Sequence, residues 1–166
     1  MEILNRNKIV DNDVLLEFEK IFCETATNCL SDYGYIGEVR IDGVWIHGET
    51  AEDAQMSISV CIEDEPIIDI PNYPLEGHTT SEDFVKFANG LAYHAASRIH
   101  GLIKYRVVPY CKVWQVDHKN RIRCVDVGEL VSRLIGNDII SEQVREDLEK
   151  NGHRLTEADV ERMRGK

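Results

Sequence analysis

Residues 55–62, QMSISVCI, carry the cleanest alternation in the chain. Met56, Ile58, Val60 and Ile62 alternate with Ser57, Ser59 and Cys61. Side chains of a strand point to opposite faces in turn, so this pattern predicts a strand with one buried and one more polar face. The segment 36–47 predicts a hairpin, IGEVRI and VWIH flanking Asp42-Gly43, a dipeptide suited to a type I′ turn. Residues 67–70, IIDI, predict a short edge strand between Pro66 and Pro71, since proline is confined to sheet edges. Residues 106–127 predict a second hairpin looping at His118-Lys119-Asn120, where asparagine tolerates the left-handed conformation. Its expected register sets Trp114 opposite Cys124, Val116 opposite Ile122 and Val113 opposite Val125.

A 3.6-residue period appears elsewhere. In residues 13–30, Val14, Leu15, Phe18, Ile21, Phe22, Ala26 and Cys29 form one stripe behind a cap at Asp11 or Asn12. In residues 81–104 the stripe is Phe84, Phe87, Ala88, Leu91, Ala95, Ile99 and Leu102, capped by Thr80 or Ser81. A short helix is expected at 128–136. Two more follow, one opening at Ser141 and closed by Asn151-Gly152, the other capped at Thr156 with Asp159 reaching back. The order α-β-β-β-(β)-α-β-β-α-α-α has too few helices for crossovers and tight links between strands. It predicts an α+β fold. Two hairpins and a strand would form an antiparallel sheet packed on the 81–104 helix, in a 1–136 core followed by a helical appendage at 137–166.

Charge changes this picture more than composition does. Residues 11–85 hold eighteen acids against Lys20 and Arg40, a net of −16, whereas residues 86–133 hold nine bases against three acids, a net of +6. The whole chain of 166 residues carries −11. Segregated charge makes a field that acts on partners. The acidic half offers Glu49, Glu52, Asp53, Glu63, Asp64, Glu65 and Asp69 to a partner with a basic surface. The basic half offers Arg98, Lys104, Arg106, Lys112, Lys119, Arg121 and Arg123 to a partner, a second copy or nucleic acid.

Other chemistries find little support in the spacing. There is no Cys-x-x-Cys or His-x-x-x-His pair, and Cys23/Cys29 and His94/His100 are six apart, about 240° around a helix, so no metal site is expected. No phosphate-binding glycine loop or nucleophile elbow is present. His94 and Arg98, one turn apart, are the one pair that suits a small-ligand or acid–base site. The C-terminal helices fail as a helix-turn-helix because the reader would carry Glu157, Asp159 and Glu161. The five cysteines are an odd set without a signal peptide, which argues against a disulfide scaffold and for small buried hydrophobes. No apolar run approaches the ~18 residues of a membrane span, and a bacterial or host cytoplasm is expected.

The reading these features favour is a non-catalytic acidic interaction protein without a cofactor, able to form a homodimer. Such a chain suits a stoichiometric inhibitor of phage type, for example an anti-CRISPR or other anti-defence protein, docking on the basic surface of a nucleic-acid-handling protein. The alternatives are a nucleic-acid-binding module on the basic 98–123 region, and a ligand binder or enzyme around His94 and Arg98.

Overall fold

The computed structural model describes residues 1–105 and 112–126, without the side chains of Lys112, Val113, Val125 and Asp126. The helices expected at 128–136 and beyond Ser141 lie outside the described residues, as do Arg106, Cys111 and the expected boundary at 136/137. The chain forms two compact units, Met1–Ile99 and His100–Lys166.

The first unit is α+β. Its sheet runs in the order β1 (Glu2–Leu4), β2 (Val39–His47), β3 (Gln55–Ile62), β4 (Glu65–Pro74). Two helices accompany it, α1 (Asn12–Asp32) and α2 (Ser81–Lys104), the latter running on into the second unit. β2, β3 and β4 form an antiparallel meander, and β1 pairs with β2 in parallel through the α1 crossover. The sheet is therefore mixed, and the all-antiparallel expectation is corrected at one edge. Three residues are too few to show a period, which is why β1 leaves no trace in the sequence pattern.

The hairpin expected at 36–47 is not formed. β2 runs straight through Asp42-Gly43 as one strand of nine residues, with a register shift between Ile41 and Gly43. Apolar positions change parity there: Val39 and Ile41 are buried on one side of the shift, Val44 and Ile46 on the other. A turn and a one-residue bulge both accommodate such a change. The bulge lets β2 match β3 along its length, pairing Val39 with Ile62, Ile41 with Val60, Val44 with Ile58 and Ile46 with Met56. Gly43 is required by its neighbour, for a Cβ would lie 2.9 Å from two atoms of the Trp45 ring. The edge strand expected at 67–70 is longer than predicted. β4 spans ten residues, keeps its prolines on the sheet's edge and absorbs two register shifts against β3.

The helices run side by side in the same direction. Ser81 Oγ donates to Glu17 (2.8 Å) and Thr25 Oγ1 to Asn89 (3.3 Å), so contacts advance together along both. Between them Phe18 meets Phe84 edge-on, and Phe87 meets both Phe84 and Tyr73 of β4. α1 closes over Leu15, Phe18, Phe22, Ala26 and Leu30, and α2 over Phe84, Ala88, Ala92, Ala95, Ala96 and Ile99. The alanine positions let the α2 backbone approach closely. Asp11 caps α1 by accepting from the Asp13 N–H, and Thr80 and Asp83 cap α2 reciprocally.

In the second unit β5 (Lys112–Val116) and β6 (Ile122–Asp126) form a hairpin in the register expected from the sequence, but as a separate two-stranded sheet and not as part of the main one, which corrects the expectation of a single sheet built from both hairpins. Asn120 takes φ +63° at its tip. Trp114 and Ile122 are buried on one face, while Gln115 and Arg123 are exposed on the other. The opposite-face coverage expected from Val113 and Val125 lies outside the described side chains.

Gly48 ends β2 at φ +122°, where an added Cβ would stand 2.8 Å from the Ala54 Cα. Backbone cannot swing aside as a side-chain tip does. Gly48→Ala is expected to cost about 1–3 kcal/mol, read as a shifted urea midpoint with an unchanged slope.

Candidate functional site

The seven acids singled out in the sequence do not form one patch. Glu49, Glu52 and Asp53 lie in the loop joining β2 to β3. Glu63 and Asp64 form the turn at the opposite end of β3, and Glu65 opens β4. The eight residues of β3 separate the two groups by about 25 Å. Asp69 lies midway along β4 and is exposed. Asp53 is engaged internally: its Oδ1 accepts from the Thr50 N–H (2.8 Å), the Glu49 N–H (3.1 Å) and the Thr50 hydroxyl (3.1 Å). Those bonds, the Thr50 N–H foremost, hold its carboxyl below the usual range.

The Glu63–Glu65 end adjoins a feature that charge counting along the chain misses. A groove of about 860 Å³ runs between α1 and the first half of β2. From α1 it receives Glu19, Lys20, Cys23, Glu24, Thr27 and Asn28. Glu38 through Asp42 form its other wall, with Cys61 and Asp64 at one side. Five side-chain carboxylates thus line it together with the side-chain cations Lys20 and Arg40, and Met1 completes the lining. Arg40 reaches Glu38 at 3.2 Å and Asp64 at 3.7 Å, which raises its already high pKa. β1 pairs with β2 at Gly43–Trp45. Val39 N–H donates to a side chain of α1, Thr27 Oγ1 (3.0 Å). Glu19, Glu24, Glu38 and Asp42 were absent from the sequence-based set. The exposed i, i+4 row Lys20–Glu24 was readable in α1, but its approach to Glu38–Asp42 depends on the crossover.

The basic residues are placed as follows. Arg98 Nη1 donates to the Asp69 carbonyl of β4 at 2.9 Å, one turn beyond an exposed His94. The Lys104 ammonium lies 5.4 Å from the Tyr105 ring centre. Arg123 Nε approaches Asp117 Oδ2 at 3.2 Å. Asp117 Oδ1 also accepts from the Lys119 and Arg121 N–H groups (2.8 and 3.0 Å). These bonds, led by Arg121, hold the Asp117 carboxyl below the usual range. The hairpin's loop amides are thus taken by its own carboxylate, leaving the exposed Lys119 and Arg121 side chains at the tip.

The division of charge persists, less steeply, between the compact units. Met1–Ile99 holds nineteen acids against six bases, a net of −13, whereas His100–Lys166 carries +2. Among the described residues no group of three or more His, Cys, Asp or Glu side chains is placed to hold a metal, and no helix is long and apolar enough to cross a membrane. Cys29 and Cys61 are buried, and Cys23 and Cys124 half-buried. No family model, no curated protein and no solved structure matches the chain.

Burial pushes the Cys23 thiol up to about 11, and also raises Cys61 and Cys29. The thiolate is the nucleophile, so Cys23 alkylation, followed by peptide mass mapping, is expected to stay far slower than that of an unfolded control at pH 8. Because the folded pKa lies above the unfolded one, the neutral thiol favours folding below the unfolded value of ~8.5. That stabilisation is lost as pH rises from there through about 11. A Cys23→Ser variant is expected to show a flatter decline of stability over that window.

Proposed function

We propose that this chain is a non-catalytic acidic interaction protein that docks on the basic surface of a nucleic-acid-handling protein, in the manner of a phage-type inhibitor. The observation that carries this reading is the concentration of charge in one compact unit: net −13 over Met1–Ile99, in a chain whose total is −11. An exposed carboxylate surface of that density competes electrostatically for sites that otherwise hold phosphates. Its field also speeds encounter with a basic partner. Acids at both ends of the sheet and along the groove give such a partner several points of attachment.

The geometry favours this over the nucleic-acid-binding alternative. Of the basic set, Arg98 is tied to the Asp69 carbonyl and Arg123 to Asp117. The backbone amides that would cradle a phosphate at the hairpin tip already hold Asp117. For the ligand-site alternative, Arg98 is committed to β4 and His94 lies exposed beside it.

The test is co-purification with the tagged chain from the cell that encodes it and from that cell's viral or host counterpart, after nuclease treatment. The expected partner is a basic nucleic-acid-handling protein whose oligonucleotide binding falls stoichiometrically as the chain is added. The complex should weaken ~10-fold or more between 50 and 200 mM salt, because exposed charges are screened. Tight oligonucleotide binding by the chain itself at 150 mM salt, or a partner interaction indifferent to salt, would overturn this function.

A further inference from the structure

We draw no further inference here: the strongest candidate, the acidic groove between α1 and the first half of β2, is a cluster of carboxylates around Lys20 and Arg40 with no second feature among the described residues that points to a ligand.

Discussion

The register of β2 on β3 is the constraint on which the rest of the first unit depends. Four inward residues of β3 require four partners, and β2 supplies them only by inserting one extra residue at Asp42-Gly43. A slip of one position would turn every one of those side chains to the other face. The bulge keeps Val39 and Ile41 in the core with Val44 and Ile46, and it leaves Arg40 and Asp42 exposed. Gly43 at the shift lets the Trp45 ring lie against the strand. The exposed, charged positions of the groove's β2 wall, Glu38, Arg40 and Asp42, follow from that register.

Elements whose partners lie nearby in sequence, or whose period is long, were legible. α1 and α2 follow from their stripes and caps, and β3 from strict alternation. The second hairpin appears with its register intact because Asn120 fixes its tip. The failures have one physical origin. A parity change at Asp42-Gly43 is consistent with a turn or a bulge, and only the non-local demand of β3 decides between them. β4 was read as short because Pro66 and Pro71 look like boundaries, yet an edge strand tolerates both. The candidate site was legible as charge but not as place. Chain proximity suggested one acidic surface, whereas β3 carries its two groups to opposite ends, and α1 contributes Glu19 and Glu24 across a crossover that no local pattern reveals.

Helix side chains tie down the strands on either side of the sheet's centre. Thr27 of α1 accepts from the Val39 N–H of β2, and Arg98 of α2 donates to the Asp69 carbonyl of the edge strand β4. The second tie is charge-assisted, and it occupies part of an edge that would otherwise invite indiscriminate pairing.

The short parallel strand has a consequence for the order in which the chain assembles. β2, β3 and β4 join through short connections, and their pairing closes small loops. β1 meets β2 only after α1 has been laid down, closing a loop of about forty residues (Ile3 to Val44) for three paired positions. Loop closure is costly in entropy, and so small a ladder returns little. The N-terminal strand therefore closes the largest loop of the sheet for its smallest ladder, so its local opening is expected to cost less free energy than that of the meander beside it.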